Sequence, residues 1–210
     1  MAGWEANDMK WGLMVLIAAG GILIFGAVFG KEPDVKTLAG KKIVMIIAYH
    51  DFRDEEFFTP FSVLKEAGAE VMVASSQQGK AKGMLGKSVE VNTLIGDITV
   101  TNFDAIVFIG GTGAQEYFNS PIAHRLAQDA VFQRKVLGAI CIAPVTLANA
   151  GVLKGKKATC FSSVKPLIGK AGALIQNQSV VCDGSLITAD GPQSASGFAA
   201  ALVAALGVGQ

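Results

Sequence analysis

The sequence predicts an α/β domain on a mostly parallel sheet, with helices on both faces and one transmembrane helix ahead of it. Three observations lead there. Short, nearly continuous apolar runs recur from Lys41 onward, amphipathic stretches alternate with them, and a long uncharged apolar run lies near the N-terminus. Strands covered on both faces read as continuous apolar segments, and strand-helix alternation implies parallel pairing. A length of 210 residues suits one domain with an appendage.

The appendage comes first. Residues 11–29 read WGLMVLIAAGGILIFGAVF, without a charge and long enough to cross a bilayer as a helix. A cleaved signal peptide is the competing reading. Glu5 and Asp8 beside a lone Lys10, and the poor small-x-small site at Ala27-Val28-Phe29, favour an uncleaved, single-pass anchor. The organisation is therefore an N-terminal segment (1–30), a polar tether (31–40) and a domain (41–210). Lys31, Lys36, Lys41 and Lys42 follow the span while only Lys10 precedes it, which places the domain on the cytoplasmic side of the membrane. An odd set of 3 cysteines fits a reducing compartment.

Within the domain, residues 43–48, 71–74, 105–109 and 136–141 are the expected buried strands, and 55–67 and 121–134 the intervening helices. The first helix stops at Gly68. Ligands in such sheets collect at the carboxyl ends of the strands. Tyr49-His50-Asp51, Gly110-Gly111-Thr112-Gly113 and Cys141 all fall there.

Ala139-Ile140-Cys141-Ile142-Ala143-Pro144 has the build of a nucleophile elbow. A tight strand-to-helix turn needs small residues two positions either side of the nucleophile, and Ala139 and Ala143 supply them. Pro144 suits a first helical turn, and 145–150 runs to a stop at Gly151. Cys141 then stands at a helix N-terminus, which favours its thiolate. A buried, inert cysteine is the alternative. Gly110 and Gly111 let backbone approach a ligand and aim an N–H at a developing oxyanion, beside the N–H groups of Cys141 and Ile142.

Other candidates are weaker. Asp54, Glu55 and Glu56 open the first helix, where carboxylates complement its dipole; that role suffices for Asp54 and Glu55. Pro60, four residues after Glu56, kinks or restarts the helix. His50 is a possible substrate-pocket residue, and His124 reads as solvated. Cys160 and Cys182 read as core thiols, and their pairing with Cys141 would need close Cα atoms. A net charge of +1 without a basic block excludes nucleic acid as a partner, 2 scattered histidines suggest no metal site, and Gly-Thr-Gly-Ala-Gln-Glu is no dinucleotide fingerprint, so no cofactor is expected.

Four segments together resemble the ThiJ/PfpI family over about residues 42–206: IVMIIAYHDFRDEEFFTPFSVLKEAGAEV, DAIVFIGGTGAQEYF, LGAICIAPVTLANAGVLKGKKAT and SLITADGPQSASGFAAALVAAL. The resemblance implies a flavodoxin-like sandwich that forms a homodimer. It places the reactive cysteine on Cys141, its acidic partner on Glu56, and the oxyanion donors on Gly111, Cys141 and Ile142. The family's glutamic acid is typically protonated and donates a hydrogen bond to the thiolate. The implied activity is attack on small electrophilic carbonyl or acyl substrates, glyoxalase-like, deglycase-like or hydrolytic. The alternative is a redox sensor or stress-protective protein acting through oxidation of Cys141. Two departures matter. Ile142 stands where peptidase members have a histidine, and Thr159-Cys160-Phe161-Ser162 stands where other members carry one, so the general base is not evident.

Overall fold

The computed structural model describes residues 37–207 and, ahead of them, Ile17–Ala18 and Gly21–Ile22, which pair antiparallel over two residues. The chain divides into the units 1–35 and 36–210. Apart from those four residues, the expected membrane span at 11–29 lies outside the described residues. No helix among the described residues is long and apolar enough to cross a membrane.

The domain begins earlier than residue 41. Leu38, placed in the tether by its polar neighbours, is fully buried, and its N–H donates to the Ala67 carbonyl at 2.9 Å. The chain then enters β1 (Lys42–Ile46) and β2 (His50–Phe52), followed by α1 (Asp54–Glu66) and β3 (Glu70–Ser75). A hairpin, β4 (Gly79–Gly83) with β5 (Ser88–Val91), precedes the short β6 (Thr93–Leu94) and the buried β7 (Ala105–Phe108). Then come α2 (Pro121–Phe132), β8 (Val136–Ile140), α3 (Pro144–Asn149), β9 (Lys157–Ala158) and α4 (Lys165–Lys170). The chain closes with β10 (Leu174–Ile175), β11 (Val180–Asp183), β12 (Leu186–Ala189) and α5 (Ala195–Gly207).

The seven-stranded sheet runs β11-β12-β8-β7-β1-β3-β6. Every pair is parallel except β11 with β12. The continuous apolar runs have a direct cause: alternate residues of one strand feed two separate cores. Val44 and Ile46 pack on the α2–α3 side, while Ile43 and Met45 face α1 and α5. In β8, Gly138 lets α5 press onto the sheet, since a Cβ there would stand 3.0 Å from the Phe198 ring.

Successive strands add outward from β1 in one direction and, from β7 on, in the other. That reversal opens a crevice between the carboxyl ends of β1 and β7. Pro60 neither ends nor restarts α1, which passes through it to Glu66. Cys182 is a correction to the core-thiol expectation: β11 is an edge strand with a solvent face, and Cys182 is exposed on it, whereas Cys160 is buried.

Candidate active site

The elbow forms where the alanine spacing puts it. Cys141 follows β8 directly and adopts φ +64°, a left-handed conformation strained for a residue with a Cβ. The turn is held from both sides: the Cys141 N–H donates to the Ala189 carbonyl at 2.9 Å, and its carbonyl accepts the Phe161 N–H at 2.8 Å. Ala139 and Ala143, the small residues on either side, are both buried. Pro144 opens α3 as its first residue.

Glu56 points into the same corner from the first turn of α1. It is fully buried, and both carboxyl oxygens lack a closed hydrogen bond. Its neighbours are the Cys141 thiol, the Gly110 N–H and the Arg53 guanidinium, which polarise it without closing onto it. Gly110 makes the approach possible, because a Cβ there would collide with a Glu56 oxygen and stand 2.6 Å from the Cys141 Cβ. Gly111, at φ +100°, would in turn meet the backbone of Asp51 to Arg53.

Burial pushes the Glu56 carboxyl up to about 7, opposed by the thiol, Arg53 and the Gly110 N–H. Burial likewise pushes the Cys141 thiol up to about 12, and an ionised Glu56 raises it further. The Gly111 and Ile142 N–H groups act in the other direction. This reverses the expectation of a thiol made acidic by a helix N-terminus. The helix is a six-residue one, and both groups are buried. The two groups titrate as a pair, and a proton on Glu56 removes the charge that opposes the thiolate.

The sequence-expected oxyanion set is brought together in part. The N–H groups of Gly111 and Ile142 face the sulfur, but the Gly110 N–H is turned toward Glu56 without closing a hydrogen bond and the Cys141 N–H is spent on Ala189. His50 is exposed in β2 and lies outside the cavity lining, because Asp51, at φ +58°, breaks the alternation that would otherwise put His50 on the same face as the buried Phe52. His124 is half-buried rather than on a solvated face, and its Nε2 lies 2.9 Å from the Phe118 carbonyl. Asp54 does more than complement the helix dipole, since its carboxylate accepts the N–H groups of Leu85 and Lys87 at 2.8 and 3.0 Å. Glu55 pairs with Arg53, Nε to Oε2 at 2.8 Å.

Cys141 and Glu56 floor a cavity of about 450 Å³. A larger groove, about 800 Å³ around Phe61, Met72 and Val89, has neither cysteine nor histidine in its lining. Several residues of the cysteine cavity went unnoticed in the sequence. Arg53 had a signal, its place between a strand end and the acidic run. Phe118 and Leu167 had none, since they arrive from a separate turn and helix, whereas Phe161 enters from the Thr159–Ser162 segment where other members carry a histidine.

A nucleophile elbow beside a buried glutamate, at the carboxyl edge of a doubly wound sheet, defines a class of cysteine-dependent α/β sandwich proteins. Residues 41–205 match the DJ-1/PfpI family, and the chain belongs to it. It is 40% identical over 166 residues to an uncharacterized protein of Methanocaldococcus jannaschii, covering 78% of this chain and 81% of that one. It is 31% identical over 149 residues to the deglycase PfpI of Pyrococcus furiosus, 71% of this chain and 90% of the relative. Among solved structures, a ThiJ/PfpI domain protein from Brachyspira murdochii superimposes with a TM-score of 0.79 at 31% identity, over 81% of this chain and all of that one.

Proposed function

We propose that Cys141 is a nucleophile toward small electrophilic carbonyl or acyl substrates, in deglycase-like, glyoxalase-like or hydrolytic chemistry, with Glu56 as its proton partner. The observation that carries this reading is the buried thiol–carboxyl pair on the floor of a cavity, with two N–H groups facing the sulfur. Relatives named deglycases support it. At neutral pH the shared proton rests on the sulfur, and Glu56 takes it as the reaction begins, so that the attacking sulfur is a thiolate. It forms a C–S bond to the carbonyl carbon as the C=O π pair moves to oxygen. The oxyanion lies against the Gly111 and Ile142 N–H groups and takes the Glu56 proton. With an acyl substrate the hydroxyl returns its proton to Glu56 as the C=O re-forms, and the leaving group takes that proton as its bond to carbon breaks. A water that gives a proton to Glu56 then cleaves the thioester, releasing the acid and the Cys141 sulfur.

A second reading has its own support. No histidine lines the cavity, so the site offers no second base for turnover. In this reading the thiolate attacks a peroxide, the O–O bond breaks, and Cys141 becomes a sulfenic acid while the released hydroxide takes the Glu56 proton. One experiment separates the two. The purified chain is incubated with 2-oxoaldehydes, acyl esters or peroxide, and product release is measured beside the mass of the Cys141 peptide. Multiple turnover of a carbonyl or acyl substrate carries the enzymatic reading. Stoichiometric oxidation without turnover of any substrate carries the sensor reading.

The same proposal includes a membrane tether at residues 11–29, a cytoplasmic domain and a homodimer. The uncharged run and the lysines that follow it support the tether and its orientation. The full chain then stays with membranes through a carbonate wash and resists protease added to intact cells. Release by carbonate removes the tether, and digestion from outside reverses the orientation.

A further inference from the structure

The mouth of the Cys141 cavity is lined by large apolar side chains held out toward solvent. Phe161 is 41% exposed, Leu167 50% and Met84 39%, and all three line the cavity that Cys141 and Glu56 floor. Phe118 and Ile142 continue the apolar wall inward. They come from the β4–β5 hairpin, the turn before α2, the elbow, the segment after β9, and α4, so the patch is assembled by the fold rather than left over from one amphipathic helix. Exposed apolar surface continuous with a nucleophile is where a substrate tail would be desolvated. A three-carbon oxoaldehyde would fill only a small part of about 450 Å³ and would leave the rim in water.

Resting on the nucleophilic reading of Cys141, we propose that this cavity selects carbonyl or acyl substrates that carry an aromatic or branched apolar tail, with Phe161 and Leu167 as its specificity-determining residues. The reacting carbon sits over the sulfur, and the tail lies along the rim. Each methylene matched by an apolar pocket contributes roughly tenfold or more to discrimination.

The test uses the full chain and two alkylating probes, iodoacetamide and N-benzyl iodoacetamide. In both, the C–S bond forms as the C–I bond breaks and iodide leaves. Rates are read peptide by peptide, with the exposed Cys182 as internal reference. The expected result is a benzyl-to-unsubstituted rate ratio at Cys141 about tenfold or more above that at Cys182. Phe161→Ser and Leu167→Gln, both at exposed positions, bring that ratio down toward the Cys182 value. Leu174→Gln, equally exposed but outside the cavity, leaves it unchanged. Equal ratios at Cys141 and Cys182, or a ratio unmoved by both rim variants, overturn the apolar-tail assignment while Cys141 reactivity stands. Failure of both probes at Cys141 overturns the nucleophilic reading, and the assignment falls with it.

Discussion

Asp54 and Glu56 are two buried carboxylates two residues apart in the first turn of one helix, and they do opposite things. Asp54 accepts two backbone N–H groups and ties the β4–β5 hairpin to α1, with Gly83 kept free of a side chain that would stand 2.7 Å from its Cγ. Glu56 has no closed partner on either oxygen and faces a thiol. The satisfied carboxylate holds the structure together. The unsatisfied one pays in stability for a proton kept beside the nucleophile.

The largest effect that can break this contrast is at the sulfur. Cys141→Ala is expected to lower turnover of carbonyl or acyl substrates by about a thousandfold or more, measured as kcat/KM, while circular dichroism stays native. Activity retained in that variant would leave the unsatisfied acid without a partner in catalysis.

Next comes Glu56 itself. Its carboxyl binds a proton more tightly folded, at about 7, than unfolded, near 4.5. Between those values the native state holds more protons than the unfolded one, so stability falls as pH rises through this window, by about 3 kcal/mol in all. Glu56→Gln is expected to flatten that slope and to be the more stable protein at pH 8, as urea denaturation at several pH values would record. In the parent chain the Cys141 alkylation rate is expected to inflect near pH 7 with this shared proton, and the inflection is lost in Glu56→Gln. An inflection that stays where it was would separate the two groups.

Asp54→Asn tests the other half. Losing charge-assisted bonds to the Leu85 and Lys87 N–H groups is expected to destabilise the fold by about 1 to 3 kcal/mol, with Cys141 labelling at pH 7 unchanged within about threefold. A large change in labelling would make Asp54 part of the site.

The smallest effect belongs to Arg53, whose charge holds Glu56 down. Arg53→Gln is expected to move the alkylation inflection upward by less than about one pH unit. A downward shift would reverse the sign assigned to Arg53.

Reading the chain alone reached the parallel sheet, the elbow and the double glycine because each is a local pattern: continuous apolar runs, alanines two residues either side of Cys141, and glycines at a strand end. It missed the β4–β5 hairpin, where GKAKG alternates without a strong apolar face and is held by its partners. It assigned Asp54 to the dipole because Leu85 and Lys87 are 31 and 33 residues away. It expected an acidic thiol because a helix N-terminus is visible in sequence and the burial of the thiol beside a carboxyl is not.

The sequence by itself determined the position of the nucleophile and the strand-helix order, since both follow from residue size and apolar spacing over a few positions. Tertiary structure alone decided that Gly110 turns toward Glu56, that Asp54 ties the hairpin to α1, and that Phe161 and Leu167 rim the cavity. Those outcomes depend on water excluded, and on groups brought together, by chain segments remote from one another in sequence.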